Sequence, residues 1–117
     1  MNKSQLLTFL EGLSLTANES KTYLAALSLG PTTIQNIADT AEIKRTTAYS
    51  VVKSLQQKGL IRQDIKGFKR FFVAEHPETL KQIVENKKSQ LDKLLPDFLS
   101  LYTDQGWQSI VRHYQGL

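Results

Sequence analysis

Apolar residues recur every three or four positions through the first 58 residues, which predicts four short amphipathic helices. Thr16 and Glu19 form a capping-box pair, so the second helix is expected to begin directly after Thr16. Gly30 and Pro31 end that helix, because glycine accepts a left-handed cap and proline cannot continue the helix. The predicted bounds of the four helices are about 3–13, 17–29, 34–40 and 45–58.

Two stretches with a strand-like pattern follow the fourth helix and predict a β-hairpin. Gly67 can take a positive φ at the tip of that hairpin. The pattern assigns no face of the hairpin to Phe68 or Phe72. The predicted strands are 60–64 and 69–74, and the predicted tip is 65–68.

A last, long helix is predicted after Pro77, which is expected in its first turn. Its apolar positions are spaced alternately by four and three residues, as in the seam of a coiled coil. Pro96 is expected to kink or restart this helix, because it cannot bond back to Asp92. Lys87 either sets the register of pairing or extends outward to water. The seam supplies the candidate dimerisation residues Leu80, Val84, Lys87, Leu91, Leu94, Leu95, Phe98 and Leu101.

The order of these elements, three helices, a tight turn before the fourth and then a hairpin, is that of a winged helix-turn-helix. The fold class is therefore expected to be mainly α with a small β-hairpin, followed by a long dimerising helix. Ala38 lies where the two helices of the motif cross, and a crossing requires a small residue. The expected organisation is a winged domain over 1–75, a coiled-coil helix over 76–103 and a tail over 104–117.

The charge of the chain is concentrated in one segment. The whole chain has a net charge of +4, but residues 44–74 hold eight basic residues against Asp64, a net charge of +7. A positive segment between near-neutral flanks favours a surface that faces a polyanion over a merely solvated basic face.

The exposed face of the fourth helix carries hydrogen-bonding groups suited to the major groove of double-stranded DNA. Arg45 is expected to contact a guanine edge or a phosphate, and Lys53 a phosphate. Tyr49 is expected at a phosphate, at a thymine methyl group or packed on the wing. At least one of two threonines on this helix is expected to act as its N-cap. The candidate DNA-binding residues are Thr33, Lys44, Arg45, Thr46, Thr47, Tyr49, Ser50, Lys53, Lys66, Lys69 and Arg70.

Several classes of function are disfavoured by composition. The chain has no cysteine, which excludes a disulfide framework, a thiol nucleophile and a cysteine-liganded zinc site. Its two histidines, His76 and His113, form no metal-binding spacing, and no catalytic triad or phosphate loop is present. No apolar run approaches the roughly 18 residues of a membrane span. We therefore expect a cytoplasmic non-enzyme with no cofactor, no metal, no membrane and no evident small-molecule effector.

The chain resembles the N-terminal part of a TrmB-type transcriptional regulator. The resemblance is strongest over 13–74 and covers most of 6–102. The family has a winged DNA-binding domain, a dimerising coiled coil and a sugar-sensing C-terminal domain, so the resemblance implies the first two here. The tail 109–117 is similar only to the first strand of the sensor, so sugar binding is not implied. Glu42 departs from the glycine usual in the turn. The matching segments are LSLTANESKTYLAAL at 13–27, GPTT at 30–33, IA at 37–38, RTTAYSVVKSL at 45–55 and KGLI at 58–61.

The sequence supports one principal function and two alternatives. The principal function is sequence-specific binding of double-stranded DNA by a homodimeric regulator with a nearly palindromic operator. The second is a winged-helix module that binds protein partners of the transcription machinery. RNA binding is the third, and it is disfavoured because few aromatic residues lie among the basic ones.

Overall fold

The computed structural model describes residues 1–103. It contains five helices and one two-stranded antiparallel sheet in the order α1, α2, α3, α4, β1, β2, α5. The predicted tail over 104–117, which includes His113, lies outside the described residues. The bounds are α1 Lys3–Gly12, α2 Ala17–Leu29, α3 Ile34–Ala41, α4 Arg45–Gln57, β1 Ile61–Lys66, β2 Lys69–Ala74 and α5 Thr79–Thr103.

Local signals in the sequence account for the ends of the first helices. The Thr16 hydroxyl accepts from the Glu19 amide at 3.0 Å, and the Glu19 carboxylate accepts from the Thr16 amide at 2.8 Å. This is the predicted capping box. Gly30 ends α2 with φ of 72°. Glu42 ends α3 in the left-handed region, at φ 59° and ψ 46°, where a side chain raises the energy of the backbone.

The hairpin differs from the prediction at its tip. Ile65 and Lys66 belong to β1, since Ile65 pairs with Arg70 and Lys66 pairs with Lys69. Only two residues remain in the loop, and the first of them, Gly67, has φ of 64°. A two-residue loop with positive φ at its first residue matches the right-handed twist of the strands, so β1 extends further towards the tip than its apolar pattern indicates, while β2 has its predicted bounds.

A short bridge joins the hairpin to the segment before α3. The Thr32 amide donates to the Phe72 carbonyl at 3.0 Å, and the Phe72 amide donates to the Thr32 carbonyl at 2.7 Å. The side chain of Phe72 is buried, whereas that of Phe68 is fully exposed at the tip. The two phenylalanines therefore have different surroundings, which the sequence pattern left open.

The core of the first compact unit, Met1–Lys81, lies among α2, α3, α4 and the base of the hairpin. Ala38 is buried, as predicted for the crossing of α3 and α4. The fully buried Tyr23 donates its hydroxyl to the Glu75 carbonyl at 3.2 Å. Burial, assisted by the nearby Glu75 carboxylate, raises the pKa of Tyr23 above its ordinary value.

The second unit begins at Gln82 and contains most of α5. Two predictions about this helix need correction. It begins at Thr79 rather than around Pro77, because a tight turn, in which the Thr79 amide donates to the His76 carbonyl at 2.9 Å, precedes it. It also continues through Pro96 as one helix, so the expected restart there is wrong, whereas the expected kink remains a prediction. A proline inside a helix removes one hydrogen bond without necessarily ending it.

Candidate nucleic-acid interface

Helix α4 has a buried face and an exposed face. Its buried face consists of Ala48, Val51, Val52 and Leu55. Turning about 100° per residue places the polar residues on the other side. That side exposes Arg45, Thr46, Tyr49, Ser50 and Lys53, while Thr47 is half-buried.

Helix α4 is attached to the start of α2 through Glu19, whose side chain is only 5% exposed. One carboxylate oxygen accepts from the Lys58 ammonium at 2.8 Å, and the other accepts from the Ser54 hydroxyl. Lys58 also donates to the Ser14 carbonyl at 3.3 Å. Glu19 thus links the capping box of α2 to the last turn of α4, which restrains the position of α4.

The protonation of Glu19 reflects these contacts. Burial raises its pKa, but the hydrogen bonds from Lys58, Ser54 and the Thr16 amide favour the carboxylate more strongly. The pKa of Glu19 therefore lies below its ordinary value. The Glu19 carboxylate, which links α2 to α4, is therefore fully ionised at neutral pH.

The start of α4 contradicts the prediction that Thr46 or Thr47 caps it. Lys44 occupies the N-cap with extended backbone, and no side chain caps the helix there. Lysine carries no acceptor, so its side chain cannot bond to the first amides. The two threonines lie inside the first turn, where their hydroxyls have no capping role. Ser50 donates its hydroxyl to the Thr47 carbonyl at 2.9 Å.

Thr33, by contrast, caps α3: its exposed side chain accepts from the Asn36 amide at 3.2 Å.

Two of the eight basic residues in 44–74 are paired with acids. Lys58 contacts Glu19, and Arg62 contacts Asp64 at 3.5 Å and Glu75 more closely. The hydrogen bond that Arg62 donates to Glu75, assisted by Asp64, raises the pKa of Arg62. Within residues 1–103, the other six have no ion pair. These six, called here the open cations, are Lys44, Arg45, Lys53, Lys66, Lys69 and Arg70.

The wing concentrates three open cations near its tip. Lys66 and Lys69 lie directly opposite each other, and Arg70 follows in β2. Like charges opposed across a strand pair repel each other. A polyanion placed at the tip would relieve this repulsion.

The predicted dimerisation residues lie on α5. Beyond Gln82, the side chains of six apolar members of the seam are 42–65% exposed, namely Val84, Leu91, Leu94, Leu95, Phe98 and Leu101. Leu80 is half-buried within the first unit, and Lys87 is exposed.

Residues 1–103 contain no group of three or more histidine or acidic side chains placed to hold a metal ion. None of their helices is both long and apolar enough to cross a membrane.

The fold and this surface define a winged helix-turn-helix protein. The family model "Sugar-specific transcriptional regulator TrmB" matches residues 10–78, which is more than half of the chain. The chain belongs to the TrmB family of transcriptional regulators. This confirms the family resemblance and the expectation of a non-enzyme, since the family consists of regulators.

The chain is similar to known proteins in sequence and in fold. It is 31% identical over 105 residues to the HTH-type sugar sensing transcriptional regulator TrmBL1 of Pyrococcus furiosus, covering 89% of this chain and 30% of that protein. It therefore spans less than a third of the length of this relative.

Two solved structures share the fold. TrmBL2, described as an archaeal chromatin protein with a novel mode of DNA binding, superimposes with a TM-score of 0.74 at 18% identity, over 98% of this chain and 44% of that chain. A MarR family regulator from Silicibacter pomeroyi gives a TM-score of 0.56 at 18% identity, over 98% of this chain and 83% of that one. These likenesses confirm the winged-helix fold class.

Proposed function

We propose that this protein binds double-stranded DNA sequence-specifically as a homodimeric transcriptional regulator. Helix α4 enters the major groove, and the hairpin contacts the backbone or the minor groove. The observation that carries this proposal is the set of six open cations on α4 and the wing, while Lys58 and Arg62 are neutralised by acids. Such a surface suits phosphates on both sides of a groove.

The side chains of α4 divide into those that position the protein on phosphates and those that read base edges. Lys44 and Lys53 lie near the start and middle of the helix and reach phosphates. Arg45 and Thr46 lie in its first turn, the part of a recognition helix that meets base edges. Thr47 and Ser50 contribute less to reading, because Thr47 is half-buried and Ser50 bonds within the helix. At the start of α3, Thr33 presents its backbone amide to a phosphate.

Dimerisation uses the apolar seam of α5, and the partner is a second copy of this chain. The heptad spacing supports this choice, because it allows the side chains of two such helices to interlock. An apolar surface of this extent is unfavourable in water and is a common sign of association. A two-fold dimer would present two recognition helices to half-sites about one helical turn, roughly 34 Å, apart.

The first test of function is binding to a pool of random duplex DNA across a salt series, with sequencing of the retained DNA. Enrichment of a palindrome with steep salt dependence is the expected result. Salt-sensitive retention without enrichment would reject specific reading and leave a general DNA binder. No retention even at low salt would reject DNA binding and favour the protein-interaction module.

The dimer is tested by mass in solution, measured by sedimentation or light scattering. Wild type should have twice the mass of the 13.3 kDa chain. Leu91→Glu and Leu94→Glu should shift it towards the monomer, because each places a charge in the seam. Ser89→Glu is the matched control, since Ser89 lies at the heptad position opposite the seam. Dimers that survive both leucine substitutions would contradict the α5 interface.

A further inference from the structure

Arg45 and Tyr49 form a pair on the exposed face of α4. They are one helical turn apart, a spacing that places side chains side by side. The Arg45 Nη2 donates to the Tyr49 hydroxyl at 3.2 Å, and the guanidinium carbon lies 5.8 Å from the centre of the tyrosine ring. Both residues are exposed, and the side chain of Tyr49 is 50% accessible to solvent.

These contacts restrict the Arg45 side chain before any partner binds. A free arginine on a helix surface samples many rotamers, and binding to a fixed target must select one of them. The guanidinium has five donors, of which the Tyr49 hydroxyl occupies one. The remaining donors are sufficient for a bidentate contact, which is the contact that arginine makes with the O6 and N7 atoms of guanine.

Tyr49 also shapes what surrounds the guanidinium. Its ring covers one side of the cation at cation–π distance, which favours a side chain held in one orientation. A bidentate contact with O6 and N7 of guanine requires the guanidinium to lie in the plane of the base, so it gains most from a side chain held in one orientation. A contact with a single phosphate oxygen is less directional and would gain less.

We propose that Tyr49 is a positioning residue that orients Arg45 to read a guanine in the operator. Arg45 makes the base contact, and Tyr49 acts through Arg45 rather than on the DNA. This inference rests on the proposed function and deepens it by naming the base and the pair of side chains that selects it.

The test compares the base preferences of four proteins in the random-duplex selection: wild type, Arg45→Ala, Tyr49→Phe and the double variant. Arg45→Ala should reduce the preference for guanine at one operator position by about 5-fold to 150-fold. Tyr49→Phe keeps the ring but removes the acceptor hydroxyl. It should reduce the preference at the same position by about 2-fold to 10-fold. The double variant should equal Arg45→Ala, because Tyr49 has no effect once Arg45 is absent.

Two controls distinguish a positioning role of Tyr49 from an effect on the stability of the protein or on its charge. Tyr102→Phe also removes one exposed tyrosine hydroxyl, but from α5, and should leave the base preference unchanged. Tyr49→Phe should keep the thermal unfolding midpoint and the salt slope of wild type, because it changes neither the buried face of α4 nor the number of charges.

Three results would overturn the inference while leaving DNA binding intact. The first is that Tyr49→Phe has the same base preference as wild type. The second is that the two substitutions have additive effects on base preference in the double variant. The third is that Arg45→Ala loses the same affinity for all sequences. The last would make Arg45 a phosphate contact. Failure of wild type itself to retain DNA would instead reject the proposed function, and this inference with it.

Discussion

Lys53 and Lys58 offer a sharp test of the DNA interface, since they lie on or beside the same helix and carry the same charge. Lys53 is an open cation, whereas Lys58 is bound to Glu19 and to the Ser14 carbonyl. We compare Lys53→Gln with Lys58→Gln, each of which removes one positive charge per chain. Net charge alone predicts equal effects on DNA binding, and the structure predicts unequal ones.

The magnitude follows from the open cations. With Arg45 at a base, five cations per chain reach phosphates, so a dimer neutralises ten. At about 0.9 per phosphate, the slope of log affinity against log salt is about −9. Lys53→Gln removes two of these contacts from the dimer and should change the slope to about −7. Between 50 and 200 mM salt, wild type should therefore lose about tenfold more affinity than this variant.

The assay is fluorescence anisotropy with a labelled duplex at four or more salt concentrations. Lys58→Gln should keep the wild-type slope. Because it removes the partner of a buried carboxylate, it should instead lower the free energy of unfolding, so circular dichroism must show that it is folded at the assay temperature. A Lys53→Gln slope equal to that of wild type, or an equal decrease in both variants, would refute the assignment of the open cations.

Three further predictions concern stability, each measured by urea unfolding. Thr22→Val should raise the free energy of unfolding by about 1 kcal/mol, because the fully buried Thr22 hydroxyl has no hydrogen-bond partner among the described residues; exposed Thr8→Val should not. Glu42→Gly should raise it by about 0.5–1 kcal/mol by relieving the left-handed backbone, whereas Glu42→Ala, which keeps a Cβ, should not. Glu19→Gln should lower it by about 1–2 kcal/mol at pH 7. Because the pKa of Glu19 in the folded protein lies below its ordinary value of 4.5, the ionised carboxylate contributes stability above pH 4.5, and this stability is lost as the pH falls through the pKa of the folded protein. The stability of Glu19→Gln should therefore depend less on pH in acid than that of wild type. Glu11→Gln, at an exposed position, should behave as wild type. The prediction for Thr22 is wrong if Thr22→Val is no more stable than wild type. The prediction for Glu42 is wrong if its glycine and alanine variants are equally stable. The prediction for Glu19 is wrong if Glu19→Gln keeps the acid dependence of wild type.

Local signals in the sequence are sufficient to predict most of the helices and strands. The capping box at Thr16 and the glycine at position 30 involve neighbours only, so they could be predicted. The contacts that join distant segments could not be predicted in this way. Neither the bond of Glu19 to Lys58 nor the bridge of Thr32 to Phe72 leaves a periodic pattern, because each depends on how finished elements pack.

The candidate site was partly predictable for the same reason. The exposed face of α4 follows from helical spacing, so its polar residues could be named. Whether a cation is open or paired depends on how far flexible side chains reach across the fold. A count of charges along the sequence therefore cannot distinguish Lys58 and Arg62 from the six open cations. The pairing of Arg45 with Tyr49 has a local signal, because residues at i and i+4 lie side by side on a helix.

The bridge between Thr32 and Phe72 divides the wing into two parts with different freedom to vary. An isolated two-stranded hairpin is marginally stable in water, so the base of this one depends on its attachment ahead of α3 and on its packing against α2 and α4. The tip beyond Ile65 has no such attachment among the described residues, and Gly67 and Phe68 simply close it. Loop exchange should therefore be tolerated at the tip and not at the base. The wing tip is a place where relatives could diversify, or an engineer could alter, contacts with DNA without rebuilding the domain.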